Sequence, residues 1–196
     1  MNKNTAKQIV MGDLVAALHR LEASADFARL MPEVRVNLVY ATPDAKSPRE
    51  VAAVDGRITV VNGRPRAAGL PRWGASDHMA RLVLEMRQYD ATINAGINFR
   101  YDAPLEKVVR EYGKEKGLLT GWIDRTHEPE EVATQDGASI PWKVKQLVAS
   151  SGGVPRLFYE GDGWGKEPLY FAVGADPATV VGIALDIARR YREKTA

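Results

Sequence analysis

Ile9, Leu14, Leu18 and Leu21 fall roughly on one stripe of the opening segment MNKNTAKQIVMGDLVAALHRLE, which predicts an amphipathic helix. DFARLMPE adds a short second helix ending at Pro32. VRVNLVYA (34–41) is rich in β-branched and aromatic residues and predicts a strand. SPREVAAV (47–54) opens with Ser then Pro, the order of an N-cap and a first helical position, and predicts a helix. RITVV and RPRAAG flank Asn62-Gly63, a strong hairpin signal, so residues 57–69 are expected to form a hairpin. Pro65 places its second strand at an edge, or marks where that strand begins.

Met79, Leu82, Val83 and Met86 follow the i, i+3, i+4, i+7 spacing of a half-buried helix, with Ser76 as its expected N-cap. TINAGINFRY (92–101) predicts a strand interrupted by Gly96, and DAPLEKVVREYG a helix from Asp102 closed by Gly113. LLTGWID predicts a strand and SIPWKVKQLVASSGG a helix. RLFYEGD and EPLYFAVG predict strands joined by GWGK. The closing helix, DPATVVGIALDIARRYREK, has Asp176 as cap and Pro177 at its first position. Helices alternate with strands and hairpins are mixed in. The expected fold class is α/β, a three-layer α/β/α sandwich with a mixed sheet. No repeat or linker divides it, so one domain is expected over 1–196, with 1–33 as an N-terminal helical segment packed on it.

Composition narrows the function classes. Net charge is +2 over 196 residues, too little for a generally basic nucleic-acid binder. The absence of cysteine excludes disulfides, thiolate metal sites and cysteine nucleophiles. No apolar run approaches the roughly 18 residues of a membrane span, and the N-terminus lacks the apolar core of a signal peptide. A soluble, cytoplasmic protein is expected.

Any preference for anions must therefore be local, and one stretch concentrates it. From Gly56 to Ser76 the chain carries Arg57, Arg64, Arg66 and Arg72, with no lysine and no acid. Guanidinium forks bind phosphate oxygens bidentately, and Arg64 and Arg66, two apart on a strand, share a face. The alternative is a solvated hairpin with surface charges. His78 follows near a helix start, where the dipole favours neutral imidazole and exposed N–H groups bind phosphate. The alternative is an exposed polar residue. Lys166 in GDGWGKEP sits in a glycine-rich turn that is not a Walker A loop, since no helix follows. It is either a phosphate contact or a hairpin tip. Asn98 and Arg100 share a face at a strand end, a common binding position, although an Arg100–Asp102 ion pair is an equal alternative. His19 and His127 look unremarkable, no His/Asp/Glu cluster has metal spacing, and GASDH is not the GxSxG elbow.

NLVYATPDAKSPREVAAVDGRITVVNGRPRAAGLPRWGASDHMAR, followed by INAGINFRYD, GGVP and GWGKEP, resembles the ThiN-type thiamine-phosphate synthase domain. The resemblance runs from about residue 12 to 192. It implies an aldolase/epimerase-like fold with a largely antiparallel sheet. It also implies a reaction: hydroxymethylpyrimidine diphosphate and a thiazole phosphate give thiamine monophosphate and pyrophosphate, with Mg²⁺. Arg57 and His78 match the family's functional Arg/His pair. On this reading Arg64, Arg66, Arg72, Ser76 and Lys166 contact phosphate or diphosphate, and Asn37, Asn98 and Arg100 contact substrate. The metal ligands stay open. Expected partners are phosphorylated small molecules and a second copy of the chain, with the apolar first helix as a candidate interface. Neither nucleic acid nor membrane is expected. With no kinase domain or complete helix-turn-helix ahead of it, the chain reads as a free-standing synthase. The alternatives are a domain that senses thiamine phosphate without making it and, more weakly, a sugar-phosphate aldolase, for which the histidine set is missing.

Overall fold

The computed structural model describes residues 2–126, 128–129, 139–161 and 167–195. Seven strands form one sheet, joined in the order β5-β2-β1-β6-β9-β8-β7. They are β1 Leu38–Ala41, β2 Val51–Val54, β5 Pro71–Trp73, β6 Ala95–Arg100, β7 Thr120–Ile123, β8 Leu157–Glu160 and β9 Leu169–Gly174. Every neighbouring pair is antiparallel except β7 with β8. β3 Ile58–Val61 and β4 Arg64–Ala67 form a separate two-stranded ribbon. Helices α1 Lys3–Glu22, α3 Ala103–Lys116 and α5 Pro177–Thr195 cover one face of the sheet; α2 His78–Arg87 and α4 Ser139–Ser151 cover the other. This is the expected three-layer α/β/α sandwich with a mixed, largely antiparallel sheet.

Period-two alternation builds the two cores. In β9, Tyr170 and Ala172 join the core under α1, α3 and α5, while Phe171 and Val173 join the core under α2 and α4. β2 divides in the same way, Ala52 and Val54 to one side and Val51 and Ala53 to the other. That two-sided burial overturns the expected helix over 47–54. Pro48–Glu50 form a single 3-10 turn, and the β-branched ends of VAAV then pair with β1 on one side and β5 on the other.

Other boundaries shift for local reasons. The buried stripe of α1 runs through Val10, Leu14, Ala17, Leu18 and Leu21, so Ile9 lies off it, 45% exposed. That stripe lies in the chain's own core. Gly113 does not close α3. It lies inside the helix, where a Cβ would come within 2.6 Å of Thr120 Cγ2, and Gly117, at φ +62°, provides the left-handed end. Asp102 caps α3 as expected, accepting Leu105 N–H at 2.7 Å, and Asp176 accepts Thr179 N–H at 2.8 Å. Asn62 and Gly63 both take positive φ in the hairpin turn, as its two-residue connection requires.

Candidate active site

Arg57, His78, Asn37 and Asn98 line one cavity of about 260 Å³, on the α2 side at one end of the sheet. Met79, Leu169 and Phe171 supply apolar surface, and Glu160 and Glu167 add two carboxylates.

Each side chain arrives by a traceable route. The chain before β1 forms one antiparallel bridge to the ribbon, with Val36 N to Ile58 O at 3.0 Å and Ile58 N to Val36 O at 2.8 Å. Arg35 and Arg57 flank that bridge at φ +68° and +69°. Non-glycine residues held there cost roughly 1–3 kcal/mol each, and such strain concentrates at functional sites. Arg57 donates to the Val34 carbonyl, which ties its guanidinium to the cavity wall. Glu167 holds the same loop from the opposite direction, its carboxylate accepting Glu33 N–H at 3.1 Å and Val34 N–H at 2.7 Å. Asn98, 2% exposed, accepts Asn37 N–H and donates to the Arg35 carbonyl, so its amide is committed to the loop.

His78 occupies the first turn of α2. Ser76 is not the cap: Asp77 holds that position, its carboxylate pairs with Arg81 at 2.6 Å, and Ser76 is buried just before it. His78 is thus the first helical residue, and Met79 beside it packs into the core.

The other arginines do not converge on this cavity, which corrects the expectation of a single clamp. Arg64 and Arg66 do share an exposed face of β4, with Pro65 buried between them. The ribbon, however, lies against α1: Arg64 donates to the Ala23 carbonyl at 3.1 Å, and Ala67 N–H donates to Glu22. Arg72 on edge strand β5 pairs with Asp55 at 2.9 Å, and that guanidinium holds the Asp55 carboxyl below its usual range. Arg100 forms the alternative ion pair with Asp102, at 2.9 Å, and also reaches the Arg29 carbonyl. Lys166 and His127 lie outside the described residues.

Sequence reasoning missed a charged network on the other side of the cavity. Lys143 of α4 is 2% exposed, and its ammonium lies 2.6 Å from Glu160 Oε1. Arg125 approaches the same oxygen at 3.3 Å and pairs with Glu128 at 2.6 Å. Burial alone would raise the Glu128 carboxyl. Hydrogen bonds from Ser139 and Arg125, with the charges of Lys143 and Arg125, pull it below the usual glutamate range instead. A signal was present: Ile140, Lys143, Val144 and Leu147 keep the i, i+3, i+4, i+7 rhythm, so a lysine stands in an apolar stripe.

A larger concavity, about 670 Å³, lies between α3 and the β7–β8 edge, with Trp122 and Tyr159 stacked in it. It contains none of the expected phosphate or substrate residues. The smaller cavity is the one whose chemistry suits a phosphorylated ligand: a guanidinium and a helix-start imidazole for an anion, and apolar surface for a ring.

Fold and cavity together define an α/β/α domain with a small site that sets a guanidinium and an imidazole beside apolar surface. Comparison with known proteins makes this specific. The family model for thiamine-phosphate synthase ThiN matches residues 13–186, and the chain belongs to that family. It is 35% identical over 176 residues to the thiamine-phosphate synthase ThiN of Methanothermobacter thermautotrophicus, covering 90% of each chain. It is 33% identical to the bifunctional thiamine biosynthesis protein ThiDN of Methanocaldococcus jannaschii, spanning 39% of that longer protein. Among solved structures, the C-terminal domain of a phosphomethylpyrimidine kinase superposes with a TM-score of 0.88 at 32% identity, covering 92% of this chain and 99% of that domain. Among the described residues, no helix is long and apolar enough to cross a membrane.

Proposed function

We propose that the chain is a thiamine-phosphate synthase, joining hydroxymethylpyrimidine diphosphate to hydroxyethylthiazole phosphate with release of pyrophosphate. The observation that carries the reading is the meeting of Arg57 and His78, from separate elements, over the apolar surface of Met79, Leu169 and Phe171. The chemistry needs little more at the reacting carbon. The thiazole nitrogen forms a C–N bond to the pyrimidine methylene, the C–O bond to diphosphate breaks, and the leaving oxygen keeps the electron pair. The main demand is for donors aimed at that developing charge, and one such donor is worth about 3 kcal/mol. Arg57, tied to the Val34 carbonyl, is pre-positioned for the diphosphate. His78 orients the leaving group by hydrogen bonding, and the apolar surface receives the rings and excludes water.

Mg²⁺ is part of this proposal, and the donor set limits the chain's share in holding it. Among the described residues no group of three or more His, Cys, Asp or Glu could hold a metal ion. Both Glu167 oxygens accept backbone N–H groups, and Glu160 Oε1 is engaged by Lys143 and Arg125. These residues do not build a protein cage. Mg²⁺ characteristically rides on substrate phosphates and keeps its waters.

The test is direct: the purified chain, the two substrates and Mg²⁺, with thiamine monophosphate and pyrophosphate quantified together. Stoichiometric appearance of both supports the synthase. Tight binding of thiamine phosphate with no turnover would replace it with a sensing domain.

A further inference from the structure

The cavity is sided. Arg57 and Asn37 enter from the β1 side, Glu160 enters from β8, and β6 and β9 lie between them. The anion-binding group therefore stands across the sheet from a carboxylate. Among the described residues, Glu160 is the cavity carboxylate with an oxygen left uncommitted, since both Glu167 oxygens accept backbone N–H groups. Its Oε1 takes Lys143 at 2.6 Å and Arg125 at 3.3 Å, and its Oε2 makes no hydrogen bond to any described residue. An ionised carboxylate only accepts, so a ligand group meeting that oxygen must be a donor. Burying a lysine to hold this carboxylate is expensive, and a residue under that constraint has one orientation.

We infer that Glu160 recognises the exocyclic amine of the pyrimidine, accepting its N–H while the ring rests on Phe171, Leu169 and Met79. Lys143 and Arg125 are positioning residues that fix the carboxylate without touching the ligand. The inference rests on the synthase reading and adds to it the basis of ring selection. A buried site built to hydrogen-bond an N–H discriminates strongly against a ring that lacks it, because the acceptor is then left unpaired.

The experiment compares calorimetric binding of the aminopyrimidine diphosphate with that of its oxo analogue, in which a carbonyl replaces the amine. Thiazole is omitted so that nothing turns over. The wild-type chain is expected to prefer the amine about tenfold to a hundredfold, the range of a charge-assisted hydrogen bond. Glu160→Gln should bring the two ligands to within about threefold by the same reasoning. Because Glu160→Gln leaves a buried ammonium unpaired, the double variant Glu160→Gln/Lys143→Met accompanies it, with melting curves for both, and should lose the preference equally. Lys143→Met alone should raise KM for the pyrimidine more than it lowers kcat, and Lys143→Arg should restore it. A wild-type preference that survives in Glu160→Gln overturns the inference and leaves the synthase reading intact. A change in Mg²⁺ dependence without a change in preference also overturns it, making the carboxylate a metal ligand. A wild-type chain that binds neither ring and makes no product removes the synthase reading itself.

Discussion

Asn98 Oδ1 accepts the backbone N–H of Asn37 at 2.6 Å, and through its Nδ2 the same side chain donates to the Arg35 carbonyl at 3.2 Å. One amide on β6 thus holds the loop that carries Asn37 and braces Arg57. A backbone donor and a backbone acceptor would both lose their partner in Asn98→Ala, at about 1–3 kcal/mol for each unsatisfied group. We expect that variant to lose about 2 kcal/mol in urea unfolding, together with a fall in kcat/KM as the loop loosens. An unchanged unfolding midpoint would mean that the Val36–Ile58 bridge, the Glu167 carboxylate and the Arg57 guanidinium hold the loop without Asn98.

The separation of the arginines makes a sharper prediction. Arg57 lines the cavity, whereas Arg64 and Arg66 ride on a ribbon that rests against α1. Arg57→Ala and His78→Ala should each lower kcat/KM about a hundredfold, the scale of one lost transition-state donor. Arg64→Ala and Arg66→Ala should stay within about twofold, since an exposed charge that meets no substrate contributes little. A steady-state comparison of the four variants decides the matter. Comparable losses in all four would restore the single arginine clamp that the sequence alone proposes.

The difference between those two pictures shows where the sequence stops informing. Alternation correctly puts Arg64 and Arg66 on one face, and Asn62-Gly63 correctly marks the turn. What alternation cannot give is the direction that face looks, because the ribbon leaves the main sheet through a single bridge and settles on α1. SPREVAAV misleads in a related way. Its Ser-Pro start is a sound local helix signal, yet only one 3-10 turn forms before burial on both faces draws VAAV into the sheet. Asn98 and His78 are legible as polar residues at a strand end and a helix start. Glu160 becomes visible only once β8 is placed two strands from β6, a long-range fact absent from local pattern.

Gly96 links that sheet to the helix bearing His78. A Cβ there would lie 3.0 Å from Val83 Cγ2 and 3.1 Å from Met79 Cε. Val83 is fully buried and cannot yield freely, and Met79 lines the cavity. Replacing glycine gains up to about 1 kcal/mol through the unfolded chain, while overpacking a tight core costs about 1–3 kcal/mol. We expect the second term to win: Gly96→Ala should melt lower and turn over more slowly, because α2 is pushed outward with His78 at its start. A variant of equal or higher melting temperature with full activity would show that Met79 repacks at no cost.

Acid should weaken the Glu128 side of the site once the pH falls below the ordinary glutamate range. Glu128 is 4% exposed at its side chain and lies 2.6 Å from Arg125, and its carboxyl is held below the ordinary glutamate value of 4.5 despite burial. A lowered folded-state value means that the unfolded chain binds the proton more readily in the window between the two values. The stabilisation is therefore fully present above about pH 4.5 and disappears as pH falls through the folded-state value. Glu128→Gln removes that proton linkage while keeping the side-chain shape. Unfolding free energies followed from about pH 6 to about pH 3 should show the wild type losing its advantage over Glu128→Gln across that window, with the two curves parallel above it. Curves that stay parallel throughout would mean that Ser139 and Arg125 hold Glu128 equally well in both protonation states, and the ion pair would then have no part in the acid response.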